Sequence, residues 1–272
     1  MFPLYDAHTH LNTESMAEER QKYVDLFVEA GGSGLVNSWA SDFYNRKGIE
    51  IASKSSSLYP DLIVKTTLGL HPLECVENII THENLNIQFQ TMKDYYDANK
   101  QHIVAIWECG IDLHFPNGYE TVETQKALFK LQCDWARELE LPIVIHSRDG
   151  FEETIEILKN YTDLVVYIHC RSYGTDEYRY LENNFPKLFV GFCGNVTYKN
   201  APNLRDTLSI VHPSQVIMET DAPYLAPQAI RGQINHPANL TYNYEFCAAH
   251  LWVSLPEFAA QIEVNFKRLY SL

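Results

Sequence analysis

The sequence predicts an α/β protein whose strands close into a TIM-type (β/α)8 barrel. Three observations predict it. Eight short apolar runs recur along the 272 residues, each followed by a polar turn and a longer stretch of helical spacing. The runs are apolar nearly throughout, the mark of parallel strands buried on both faces. Polar residues of metal-binding type collect where the runs end, which is the catalytic edge of such barrels.

Strands are expected at 5–8, 34–37, 65–69, 103–108, 142–146, 164–169, 188–192 and 216–219. Between them the spacing turns helical. Over 123–140, Ala127, Leu128, Leu131, Trp135 and Leu139 recur at intervals of three and four. Over 152–160, Ile155, Ile157 and Leu158 stand among charges. Eight strand-then-helix units close naturally into a barrel. A doubly wound open sheet is the alternative, but no glycine-rich dinucleotide or phosphate-loop fingerprint supports it. Residues 224–241, rich in Pro, Asn and Gln, read as a long ordered loop after the last strand and so as part of a site. Residues 255–272 read as a closing helix, with Ser254 as N-cap and Pro256 in the first turn. No linker, repeat or low-complexity segment interrupts the pattern, so 1–272 is expected to form a single barrel domain.

Apolar residues make up 46% of the chain, which excludes a disordered composition. The net charge of −14 argues against a surface built for nonspecific grip on nucleic acid. A nucleic-acid enzyme stays open, because bound divalent ions add positive charge that a residue count misses. The six cysteines, Cys75, Cys109, Cys133, Cys170, Cys193 and Cys247, form no CxxC pair. Several sit in apolar runs such as VVYIHC and LFVGFC, as free thiols of a reducing compartment do. The start, MFPLYDAHTH, has no secretory pattern, and no apolar run approaches the ~18–20 residues that span a membrane. A cytosolic monomer is expected, with nuclear entry open and no obligate protein partner in view.

The chemistry lies at the strand ends. His8 and His10 are two apart on a strand, so both side chains point to one side and can grip one divalent ion. Asp221 and Glu108, at other strand ends, are the natural further ligands. His146 and His169 would hold a second ion, with Glu108 bridging the two. Two ions about 3.5–4 Å apart suit attack by water on phosphorus or on a carbonyl. Mixed nitrogen and oxygen ligands fit Zn2+, Mn2+ or Mg2+ alike. Any one of these histidines, taken alone, reads more readily as an ordinary surface or hydrogen-bonded residue; their company at four strand ends is what chance does not explain. Asp112 and Asp149 read equally well as caps of the following helices. His82, His102, His114, His212 and His250 have no such company and are read as ordinary.

Taken together the motifs resemble the TatD family of metal-dependent deoxyribonucleases, within the amidohydrolase superfamily. The matching pieces are DAHTH at 6–10, GLHP at 69–72, ECGID at 108–112, LPIVIHSRD at 141–149, HC at 169–170, GNVTYKNA at 194–201, ETDAPYLAP at 219–227, the RG plus N pattern at 231–235 and VNFKRLY at 264–270. They run from end to end in order. The resemblance implies the distorted barrel of metallo-dependent hydrolases, with His8, His10 and Asp221 at one metal and His146 and His169 at the other. It implies Glu108 as the bridge and His71 as a contact to substrate phosphate. Arg148 and Arg231 match basic positions, although Arg231 reads equally well as a structural ion-pair residue. Arg171 adds a guanidinium that would favour an anionic substrate. Three positions depart from the family pattern: Trp107 replaces the glycine before the bridging Glu, Arg171-Ser172-Tyr173-Gly174 replaces an aromatic followed by Ser-Gly, and His236 replaces an acidic residue. The resemblance implies hydrolysis of DNA, with trimming of single-stranded 3′ ends; in the mechanism expected here, Asp221 positions the attacking water and accepts its proton. Tyr224 and Tyr242 could stack on bases. The rival is another ester or amide: misacylated tRNA, a phosphotriester, a lactone or a cyclic amide. A binding protein on a retained barrel would lack a ligand type, and none is missing.

Overall fold

A computed structural model describes residues 2–38, 41–170 and 173–272. Arg171 therefore lies outside the described residues. The strands are β1 (Leu4–Thr9), β2 (Gly32–Asn37), β3 (Ile63–Leu68), β4 (Ile103–Asp112), β5 (Ile143–Arg148), β6 (Val166–Ile168), β7 (Leu188–Phe192) and β8 (Val216–Met218). Each pairs in parallel with the next, in the order of the chain. The helices are α1 (Arg20–Glu29), α2 (Asp42–Leu58), α3 (Pro72–Val76), α4 (Leu85–Asn99), α5 (Val122–Leu139), α6 (Phe151–Leu158), α7 (Thr175–Asn184), α8 (Pro202–Ile210), α9 (Leu240–His250) and α10 (Leu255–Tyr270).

All eight expected strands are present, with shifted ends. β4 is longer than its apolar run suggests. It continues through Asp112 because Ile111 and Asp112 pair on with Ser147 and Arg148 of β5. β6 is shorter, ending at Ile168. The close approach of β3 and β4 explains one glycine: a Cβ on Gly69 would stand 1.4 Å from the Trp107 carbonyl oxygen.

The ring closes weakly between β8 and β1. Their backbones meet only past the end of β8, where Asp221 N–H donates to the His8 carbonyl at 2.9 Å and His10 N–H to the Ala222 carbonyl at 2.7 Å. Lower down, side chains of α9 and α10 fill the seam. The Tyr244 hydroxyl accepts from Tyr5 N–H at 3.1 Å and lies 3.3 Å from the Tyr5 carbonyl. Tyr270 donates to the Ala7 carbonyl at 2.8 Å. On the other edge, Asn243 donates to the Glu219 carbonyl at 3.0 Å and Asn265 to the Val216 carbonyl at 2.7 Å. Unpaired strand edges are costly when buried, and these groups satisfy them.

The loop over 224–241 is ordered around Asn235, which is fully buried. Its amide donates to the Thr220 and Tyr224 carbonyls at 3.0 and 2.7 Å. The loop therefore folds back over the end of β8. Among the described residues, no helix is long and apolar enough to cross a membrane.

Candidate metal centre

β1 carries His8 inward, and His10 follows one residue past its end. Their rings meet edge to face at 4.4 Å, and their Nε2 atoms stand 2.8 Å apart. Asp221, just beyond β8, adopts a left-handed φ of 54°, which Asp tolerates better than most residues. Its Oδ1 lies 3.1 Å from His8 Nε2 and 3.0 Å from His10 Nε2. The Ser38 carbonyl, 2.7 Å from His10 Nδ1, can only accept, so that nitrogen carries the proton and Nε2 presents its lone pair. Burial, helped by the neighbouring His169 and His10 rings, pushes His8 down to about 3, so its imidazole is neutral. Burial opposes ionisation of Asp221, but the adjoining His10 and His8 rings outweigh it and hold the carboxyl below its usual range.

The second group is gathered by Glu108. Its Oε1 lies 2.7 Å from His169 Nε2 and 2.9 Å from His146 Nδ1. Burial works against its charge, yet the surrounding His71 and His169 rings hold the carboxyl well below the usual range. Burial likewise works against a charge on His146. Hydrogen bonds to Asp112 and Glu108 prevail and push it up to about 9. His169 is raised in the same way, Glu108 overcoming its burial. The far side of His146 is held too, its Nε2 lying 2.9 Å from Asp112 Oδ2.

His71 stands at the edge of this group, Nε2 3.4 Å from Glu108 Oε2. Its Nδ1 caps α3 by accepting from Leu73 N–H at 2.9 Å. A neutral His71 must then carry its proton on Nε2, and burial keeps it neutral by pulling its pKa down. His71 is thus built as a donor facing the cavity, while His10 is built as an acceptor.

The residues present fit bound metal. Around an ion with ligands at about 2.0–2.2 Å, adjacent donors stand roughly 3.0–3.5 Å apart. The His8, His10 and Asp221 atoms lie close to that spacing. At Glu108, the two raised imidazoles hold protons where a cation would serve the same carboxylate. Both groups open on one cavity of about 550 Å3, whose lining includes His10, His71, Glu108, His146, His169 and Asp221.

Arg148 lies on the cavity rim, its guanidinium 5.8 Å from the Phe115 ring centre. Arg231 does not line the cavity; it is exposed and lies over the Tyr198 ring at 4.4 Å. Tyr224 lines the cavity and Tyr242 does not. The Trp107 departure falls in the floor. The ring is fully buried, 4.0 Å from His8 and 4.6 Å from His169, and supports both from below. His236 stacks on Tyr23 at 4.9 Å, away from the cavity.

The sequence reading missed two carboxylates. Asp112 does not cap a helix; it receives His146. The signal was there, because positions 108, 110 and 112 share one face of β4. Glu219 is fully buried beneath the site, accepting from Cys170 N–H at 2.5 Å and facing His169 Nδ1 at 3.6 Å. Asp149 pairs with His114 at 2.9 Å on the surface.

Comparison with known proteins places this geometry. The profile of the family described as TatD related DNase matches residues 5–271. An uncharacterized metal-dependent hydrolase of Mycoplasma pneumoniae is 31% identical, with 98% of each chain covered. A protein of Erwinia tasmaniensis named 3′-5′ ssDNA/RNA exonuclease TatD is 27% identical, covering 99% of this chain and 100% of its own. The crystal structure of a TatD homologue from Escherichia coli K12 superposes with a TM-score of 0.87 over 99% of this chain and 98% of that one; at 20% identity it speaks for the fold alone. From these matches and the clusters at the strand ends, the chain belongs to the TatD family and is a metal-dependent hydrolase.

Proposed function

We propose that the chain is a two-metal nuclease that hydrolyses phosphodiester bonds of DNA, trimming single-stranded 3′ ends. The observation that carries the proposal is the shared cavity. Two histidine–carboxylate groups converge there beside a neutral His71 whose Nε2–H faces inward. The printed name of the Erwinia tasmaniensis relative supports the substrate class.

His8, His10 and Asp221 would hold one ion and His146 and His169 the other, with Glu108 between them. When bound, the ions supply acidification of water and neutralise charge that builds on phosphoryl oxygens. Mg2+, Mn2+ and Zn2+ all suit the mixed donors. The chain's own groups do the rest. Asp221 positions the attacking water and takes its proton. His71 donates to a phosphoryl oxygen, a contact its tautomer already favours. Arg148 attracts the phosphate at the rim, and Tyr224 offers a stacking face to the terminal base.

Purified protein with Mg2+ or Mn2+ is expected to shorten 5′-labelled single-stranded DNA. His10→Ala and Glu108→Ala should each reduce the rate on the order of 1,000-fold or more. Activity that survives both substitutions overturns the metal assignment. Turnover of small esters or cyclic amides, with DNA untouched, overturns the substrate.

A further inference from the structure

Beneath the cavity lies a donor set of a different chemistry. Cys170 follows His169 directly, is half-buried and lines the cavity. Cys193 follows the last residue of β7 and is fully buried. The two positions are 23 apart in the chain, yet the ends of adjacent strands bring their Sγ atoms to 3.0 Å. Behind them stands Glu219. The two sulfurs and a Glu219 carboxylate oxygen all lie within 4.8 Å of one another. Asn195, which also lines the cavity, places its Oδ1 3.2 Å from Cys193 Sγ.

The catalytic groups offer nitrogen and oxygen only, and suit hard or borderline ions. Two sulfurs with one carboxylate oxygen select a softer ion. We propose that Cys170, Cys193 and Glu219 form a third cation site, which takes one thiophilic divalent ion of the Zn2+ or Cd2+ class. Asn195 Oδ1 is placed to complete a tetrahedral set. Two thiolates about 2.3 Å from zinc stand roughly 3.8 Å apart, so the sulfurs must separate by about 0.8 Å. The half-buried Cys170 is the one with room to move. The ion enters through the cavity wall at Cys170. It replaces two thiol protons, which leave to solvent, and both sulfurs become ligands with no change of oxidation state.

The site is coupled to the hydrolytic centre through Glu219. The same carboxylate faces His169 Nδ1, a buried nitrogen with no hydrogen-bond partner among the described residues. An ion drawing Glu219 to the sulfurs takes the negative charge that faces His169 away from it, so a thiophilic ion in excess slows hydrolysis. This consequence rests on the chain's metal-dependent hydrolysis; the binding itself does not.

The test uses the full chain, reduced and loaded with Mn2+, titrated with Cd2+. The expected result is an ultraviolet thiolate-to-cadmium charge-transfer band that saturates at one equivalent. Cys193→Ser should lose the band, keep the Mn2+-supported activity and resist inhibition by Cd2+. Cadmium-113 NMR of the unaltered protein, in which a sulfur-ligated resonance is expected, gives an answer even if the variant folds poorly. No band and no such resonance in the unaltered protein overturns the proposal. So does a band of equal strength in Cys193→Ser, which would place the ion on other cysteines. Inhibition that persists in Cys193→Ser overturns the coupling while leaving the spectroscopic arm to decide the site.

Discussion

At the scale of single residues, His146 is held from both ends, by Glu108 at Nδ1 and by Asp112 at Nε2. A carboxylate on the far nitrogen fixes ring orientation and strengthens the near nitrogen as a ligand. It also raises the proton affinity of the ring to about 9. Below that pH the ring is charged, and an ion must expel its proton to bind. Affinity at Glu108 and His146 should therefore rise with pH through the neutral range towards 9. In Asp112→Asn the proton is held less tightly, so the pH dependence should flatten at a lower pH than in the natural protein, while affinity falls about 10- to 100-fold. Titration calorimetry with Mn2+ at a series of pH values checks both; equal pH profiles in the two proteins would refute the role given to Asp112. Glu74, on the cavity wall, is a second case. Burial, with Glu77 adding, pushes it up to about 7. Its folded value is above its unfolded one, so the protonated form is the one the fold favours. Stability tied to Glu74 is present below about pH 4.3 and is lost as pH rises through about 7. Glu74→Gln should match the natural protein at acid pH and exceed it at pH 8. Because Glu74 is partly exposed, solvent screening holds the gain to about 1 kcal/mol. Urea unfolding at the two pH values measures it.

At the scale of elements, α10 shows how a local signal survives into the fold. Ser254 accepts from Glu257 N–H, and the Glu257 side chain returns to Ser254 N–H, forming a capping box. Pro256 occupies the first turn, where it gives up no hydrogen bond. Ser254→Ala should cost about 1 kcal/mol and lower the melting temperature by about 2–4 °C. A drop beyond 10 °C would mean that the cap does more than stabilise its own helix. β4 shows the opposite. Its apolar run breaks at Glu108, but all ten residues through Asp112 are buried strand, because β5 supplies partners for the polar half.

For the molecule as a whole, the informative feature is the weak closure between β8 and β1. Among the described residues, seven neighbouring strand pairs form parallel ladders, while the eighth contact is an isolated bridge from Thr9 to Ala222. The ends of β1 and β8 that carry the proposed metal ligands meet at this bridge, so His10 and Asp221 face one another. The helices α9 and α10 carry the lower half of the seam. Tyr270→Phe removes the donor to the buried Ala7 carbonyl and should cost about 1–3 kcal/mol. Denaturant unfolding should show the loss, and Mn2+ affinity should move less than stability, because the bridge above is untouched. A variant as stable as the natural protein would deny the seam its part in holding the barrel.

The sequence by itself determined the strand count, their parallel character, the family and the residue types at the site. These are legible because strand burial shows in local runs, and an order of short motifs that resembles a family's needs no tertiary knowledge. Tertiary structure decided which groups touch. His10 and Asp221 are 211 positions apart, and only the closing of the ring joins them. The tautomer of His71 depends on capping α3, the partner of His146 on the continuation of β4, and the place of Arg231 on Tyr198. Trp107 reads in the sequence as an intruder at the site and in the structure as its floor, since the facing of a side chain inside a barrel depends on register among strands. The meeting of Cys170 with Cys193 has the same origin. Local sequence records what each residue can do, and contacts between distant strands determine where it does it.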